Sequence, residues 1–179
     1  MKRVRHARLR FLDEAGASTI LTRLYARAIG GRRITEAVPR NYGASTSMIA
    51  AMGINGVDAT MIIAGSVDTL VFNAYCEQVL RPTLKVGDVI VLDNLGAHRA
   101  SRIEEICKEC GARVIWLPPY SPDFSPIELM WSKVKAYLKK AKARTQEELE
   151  KAIAVALKTI TISDCLNWFG HCGYQVTCN

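Results

Sequence analysis

Between Arg8 and Glu14 apolar and polar positions alternate, Leu9, Phe11 and Asp13 against Arg8, Arg10, Leu12 and Glu14, which is the two-residue period of a strand. The neighbouring acids Asp13 and Glu14 therefore face opposite sides. Two apolar runs, "MIAAMGI" and "VDATMIIAGS", flank Asn55 and Gly56, and an Asn-Gly pair in that setting predicts a hairpin because both residues tolerate positive φ. From Asp68 to Leu80 the chain sets Leu70 or Val71, Ala74 or Tyr75, and Gln78 or Val79 at helical spacing, with Asp68 as N-cap. An apolar strand over residues 88 to 93 comes next, then a helix from about Ala97 to Cys110 that Gly111 terminates. "ARVIWLP" is a further short strand, closed by Pro118 and Pro119.

Two helical patterns follow. In "SPIELMWSKVKAYLKKA" Ser125 caps and Pro126 takes the first helical position; in "TQEELEKAIAVALKTI" Thr145 and Glu148 make a capping box. Residues 15 to 45, basic and Gly-containing, read as a short helix and loops. Strands thus come first as a hairpin set and then alternate with helices. That order predicts an α/β fold, a mixed five-stranded sheet with helices on both faces, in which the first strand lies beside the fourth.

At 179 residues and 49% hydrophobic composition the chain is expected to form one domain, residues 1 to 179, with a substantial core. No run of about 18 apolar residues occurs, and the basic start "MKRVRHARLRF" leads into no long apolar segment, so neither a membrane span nor a secretory signal is predicted. The six cysteines are then expected as reduced thiols. Cys107 and Cys110 form a CxxC at a helix end with no second pair to complete a zinc set, and Cys165, His171, Cys172 and Cys178 match no metal spacing. A net charge of +7 favours an anionic partner. The charge clusters at Lys2 to Arg10, at Arg23 to Arg40 including Arg32 and Arg33, and at Lys133, Lys135, Lys139, Lys140, Lys142 and Arg144, where it serves either phosphate contact or a solvated face.

Asp93 stands at the end of an apolar strand, and if that strand neighbours the first, Asp13 sits at a corresponding end. Glu128 follows Asp93 after 34 intervening residues, room for a helix, a strand and the loop "PPYSPDFSP" to return the chain to the same sheet edge. Three convergent carboxylates repel and demand cations, and an all-oxygen set favours Mg²⁺ or Mn²⁺. Each acid also has a plainer role: Asp13 as a solvated strand end, Asp93 with Asn94 as a turn, and Glu128 as the capping-box partner of Ser125. Asp123 is a competing ligand in the same loop.

"FLDE" at 11 to 14, "VLDNLGAH" at 91 to 98 and "WLPPYSPDFSPIELMWSKVK" at 116 to 135 resemble the three motif blocks of the DDE transposases, in particular the bacterial insertion-sequence branch of the Tc/mariner superfamily. The 34-residue gap is characteristic of that branch, and the closing "CLNWFGHCGY" is similar to the end of such proteins. The resemblance implies a ribonuclease-H-like fold and a catalytic, metal-binding triad of Asp13, Asp93 and Glu128 with two Mg²⁺ or Mn²⁺ ions. It also implies metal-dependent cleavage and strand transfer on double-stranded DNA, both transposon ends and target. Asn94 and His98 match the second block as supporting residues, or serve as a turn and a helix start. Tyr120 and its prolines are expected to fix the approach of the Glu128 helix, and Trp131 to be core. Lys133, Lys135, Lys139, Lys140, Arg32 and Arg33 are candidate phosphate contacts.

Such transposases carry helix-turn-helix modules ahead of the catalytic domain, whereas here about eight residues precede the first strand. The expectation is a catalytic unit without that region, as a fragment, a frameshift half served by a separate DNA-binding polypeptide, or a decayed element. The implied setting is a homodimer in the bacterial cytoplasm, associated with the nucleoid and with no membrane. A nuclease of the same fold that only hydrolyses, and a non-catalytic DNA-binding or assembly module, are the alternatives.

Overall fold

A computed structural model describes residues 8–38, 45–93, 102–119 and 121–175. Asn94, His98, Tyr120, Cys178 and the expected helix start at Ala97 lie outside the described residues. Strands β1 (Leu9–Ala17), β2 (Thr46–Gly53), β3 (Gly56–Ala64), β4 (Val89–Leu92) and β5 (Arg113–Trp116) form one sheet in the order β3-β2-β1-β4-β5. β1 pairs antiparallel with β2 and parallel with β4, so the first strand does lie beside the fourth. The helices are α1 (Thr69–Tyr75), α2 (Ile103–Glu109), α3 (Pro126–Ala141), α4 (Gln146–Lys158) and α5 (Ile162–His171). Among the described residues no single helix is long and apolar enough to cross a membrane.

β1 is central and buried on both faces, and its two-residue period divides the core in two. Leu9, Phe11, Ala15 and Ala17, with Val89 and Val91 of β4, pack under α3, α4 and α5 against Ile127, Trp131, Val134, Leu149, Ile153 and Phe169. Leu12, Ile90 and Leu92 point the other way, to Phe72, Tyr75, Leu80, Ile103 and Ile106 of the α1–α2 layer. Helices on both faces of a mixed sheet are thus a direct result of strands that are apolar on both sides. This is the ribonuclease-H-like arrangement.

Several local expectations are corrected. The hairpin forms, but its connecting residues are Ile54 and Asn55, because Gly53 already pairs with Gly56, and the positive φ falls on Gly56 (130°). The buried stripe of the first helix is Phe72, Tyr75, Cys76 and Leu80, while Leu70 is 78% exposed. The helix continues as a π turn over Cys76–Leu80, with Cys76 and Leu80 buried. β1 runs on to Ala17, beyond the expected end at Glu14. Among described residues 18–38 the sole regular piece is a 3-10 turn at Ile29–Gly31, and no α-helix forms there. Leu24, Tyr25 and Ile29 in that stretch are 79%, 90% and 97% exposed.

α5 is a helix not among the elements expected from the sequence. It is started by a capping box in which the Thr161 hydroxyl accepts from the Asp164 backbone N–H and the Asp164 carboxylate accepts from the Thr161 N–H. The same device starts α4 through Thr145 and Glu148 as expected. Of the cysteines, Cys76, Cys107, Cys110, Cys165 and Cys172 are free thiols. Burial pushes Cys76 up to about 12 and Cys107 up to about 11, so both are neutral hydrophobes rather than nucleophiles.

Candidate active site

Parallel pairing matches Leu9 with Val89 and Phe11 with Val91, an offset of 80 (89 − 9). Carried two residues on, the same offset sets Asp13 opposite Asp93. Neighbouring strands lie about 4.8 Å apart. Asp13 and Asp93 share the parity of the residues that pack under α3, so they project from the same face at one sheet edge. The chain leaves β5 through Pro118 and Pro119, makes a 3-10 turn at Pro122–Phe124, and enters α3 with Pro126 at its first position. Proline fits there because its missing N–H is one the helix start cannot use. Glu128 is the acid of that first turn.

Asp13, Asp93 and Glu128 line a single cavity of about 390 Å³, walled by Leu12, Leu117, Pro118, Pro119 and Pro122 with Ser121 and Ser125. Three elements separated widely in sequence deliver three carboxylates to one space. Asp123 is exposed in the 3-10 turn and does not line the cavity, so it is the weaker candidate. The capping box expected between Ser125 and Glu128 does not form, because Ser125 makes no side-chain cap bond. Glu128 donates its backbone N–H to the Ser125 carbonyl at 3.2 Å, and its carboxylate is not drawn back into the helix start as those of Glu148 and Asp164 are.

The Asp13 carboxyl is pushed up to about 7, chiefly by burial, with the nearby charges of Glu128 and Asp93 adding to the rise; hydrogen bonds from the Glu14 backbone and from Trp131 oppose it. A carboxylate so placed is short of positive charge. The donor set is all oxygen, which suits a hard divalent cation. Among the described residues no three His, Cys, Asp or Glu side chains close on one point. The fit is therefore to Mg²⁺-type binding through one or two carboxylates, with other positions open to water and phosphate oxygens, rather than to a closed protein cage.

The basic candidates separate by helix face. Lys135 and Lys139 fall seven and eleven residues after Glu128, so at 100° per residue they share its side of α3. Lys133 points elsewhere and is engaged: its ammonium donates to the Thr159 carbonyl at 3.1 Å and to Asp164 Oδ2 at 2.7 Å, and this bond leads the causes that hold the Asp164 carboxyl down at about 2. Lys140 lines a separate cavity beside residues 22–38, Lys142 pairs with Glu36 at 2.5 Å, and Arg144 donates to the Thr19 carbonyl at 2.7 Å. Arg32 and Arg33 are exposed in the irregular segment.

Trp131 is core as expected, 2% exposed, but it also donates its indole N–H to Asp13 Oδ2 at 3.0 Å. Sequence reasoning missed that contact. The available signal was position, since Trp131 stands one turn beyond Glu128 on a neighbouring line of the same helix.

A family model described as DDE superfamily endonuclease matches residues 8–150. Among solved structures the chain is similar to a pre-cleavage Mos1 transpososome, with a TM-score of 0.69 and 16% identity over 94% of this chain and 53% of that one. It is similar also to the Mos1 mariner paired end complex with Mn, with the same score, identity and coverages. The catalytic domain of Mos1 mariner transposase matches at a TM-score of 0.61 and 14% identity, over 94% of this chain and 78% of that one. The chain spans about half the length of the first two, and at these identities the likeness is one of fold. No curated protein matches the chain by sequence.

Proposed function

Since this chain belongs to the DDE superfamily endonucleases, matched over residues 8–150, we propose that it is a transposase catalytic domain that cleaves DNA and joins strands by in-line phosphoryl transfer, with Asp13, Asp93 and Glu128 as its triad. The observation that carries this reading is that Asp13, Asp93 and Glu128 line one cavity, with the Asp13 carboxyl pushed up to about 7. Solved Mos1 structures of the same fold include a paired-end complex with the left transposon end, a strand transfer complex, and paired end complexes with Mn and with Mg. They support a double-stranded DNA substrate, transposon ends and target, and a divalent cofactor.

Two Mg²⁺ or Mn²⁺ ions, when bound, would offset the repulsion among the acids and stabilise charge on the attacking and leaving oxygens of the phosphodiester. Asp13, Asp93 and Glu128 would be the residues that hold the ions, Asp13 lying within the field of both other acids. Leu12, Leu117 and the prolines would present apolar surface beside the reacting phosphate. Lys135 and Lys139, with Arg32 and Arg33, would bind flanking phosphates and set register without reading sequence. Asn94 and His98 would support the Asp93 end of the cavity. Joining two ends favours a homodimer.

The test uses labelled duplexes, intact and pre-cut, with Mg²⁺ or Mn²⁺. Asp13→Asn, Asp93→Asn and Glu128→Gln should each reduce cleavage to background while the fold survives by circular dichroism. Retained cleavage in any one removes that residue from the mechanism. Cleavage without joining of pre-cut ends would point to a hydrolytic nuclease, and DNA binding indifferent to metal, without cleavage, to an assembly module.

A further inference from the structure

The indole of Trp131 is placed to act on the acidic cavity from within the core. We propose that Trp131 is a positioning residue that fixes the Asp13 carboxylate for divalent-metal binding and sets its spacing from Glu128. The inference rests on reading the cavity as a metal site.

Its first support is the bond itself. Trp131 Nε1 lies 3.0 Å from Asp13 Oδ2, between residues 118 apart in sequence. The indole has one donor and no acceptor, and a buried N–H must find a partner. Here the partner is a side-chain carboxylate at the cavity. The Asp13 carboxylate otherwise rotates among staggered rotamers, and the bond selects one of them.

The second support is the origin of the donor. Trp131 and Glu128 stand three residues apart on α3, so their Cβ atoms lie about 5–6 Å from each other on one rigid element. The helix that presents Glu128 to the cavity therefore also holds Asp13. Trp131 is itself seated among Phe11, Ile127, Val134 and Phe169 in the same core layer. The packing of that layer is thus transmitted to the separation of two acids contributed by β1 and α3. Partners that orient metal ligands from behind typically account for about 10- to 100-fold in metal affinity.

The experiment measures Mg²⁺ and Mn²⁺ binding to the full chain by titration calorimetry, with no reliance on turnover. Trp131→Phe keeps most of the ring and deletes the donor. Trp116→Phe is the control, because Trp116 also gives its indole N–H to a carboxylate, Glu104 at 2.8 Å, away from the cavity. Trp131→Phe should weaken binding about 10- to 100-fold, and Trp116→Phe should leave it unchanged. Equal affinity in Trp131→Phe and the parent overturns the inference while leaving the metal site standing. A parent that binds no metal overturns both.

Should Trp131→Phe fail to fold, the Trp116→Phe/Trp168→Phe variant leaves Trp131 as the sole indole of the three in the chain. Its emission should change on Mg²⁺ titration, and the change should be absent when Asp13→Asn is added. Constant emission while calorimetry shows saturation of the site overturns the proposal.

Discussion

Replacing Asp13 by Asn should stabilise the metal-free protein at alkaline pH. The sign follows from the direction of the shift. Burial raises the Asp13 carboxyl from 3.8 to about 7 in the folded chain, so between those values the folded state holds a proton that the unfolded state has released. Stability from this group is present below about pH 4 and is lost as pH rises through about 7. The whole span corresponds to at most about 4 kcal/mol, at about 1.36 kcal/mol per pH unit, less whatever water entering the cavity screens. Asn has nothing to ionise and can still accept the Trp131 N–H at its carbonyl oxygen. Thermal unfolding in chelator from pH 5 to 9 should show the parent losing melting temperature that Asp13→Asn retains. For a chain of this size about 1 kcal/mol moves the midpoint by about 2–4 °C, so the gap at pH 8 should reach several degrees. Mg²⁺ should then close the gap by stabilising the parent alone. A parent whose stability is flat across that range, or an Asp13→Asn chain weakened equally at every pH, would refute the reasoning.

Two further outcomes are expected. Arg10, 8% exposed at the opposite end of β1, donates to Asp58 at 2.6 Å and to Thr83 and lies 3.5 Å from the buried Asp88; Arg10→Met should cost about 3 kcal/mol in urea unfolding by leaving buried charge uncompensated, and a loss below about 1 kcal/mol would show that Arg8 suffices for Asp88. Lys135→Ala and Lys139→Ala should each lower the slope of log affinity for DNA against log salt by about 0.9, whereas Lys133→Ala, bound to Asp164, should leave it unchanged; the reverse pattern would move the phosphate track to the other face of α3.

Much of the fold was legible because it rests on local rules. The alternation through Leu9, Phe11 and Asp13 gave the central strand and its two faces, and Thr145 with Glu148 gave the start of α4. What escaped depends on register or on distant partners. The sheet-facing stripe of α1, Phe72, Tyr75, Cys76 and Leu80, has the same helical spacing as the expected one in a different register, and with apolar residues on both registers only the packed sheet decides between them. α5 carries in Thr161 and Asp164 the same kind of capping signature as Thr145 and Glu148, so its start is written in the sequence by the same local rule. At the candidate site, the spacing of Asp93 and Glu128 suggested convergence, and the cavity holds both with Asp13. The Trp131 contact was hidden because it needs α3 to be laid over the middle of β1, a tertiary fact linking residues 118 apart.

The parallel match of β1 to β4 has a consequence for how freely this sequence tolerates change in length. Only the pairing of Leu9 with Val89 and Phe11 with Val91 aligns the two aspartates; the hairpin and helical crossover between them merely close the loop. Residues added at the Ile54–Asn55 turn cost little, because loop closure grows slowly with length. A single residue deleted from Val89–Leu92 is another matter: with a two-residue period it turns Asp93 to the α1 side of the sheet and strands an acid in the wrong core.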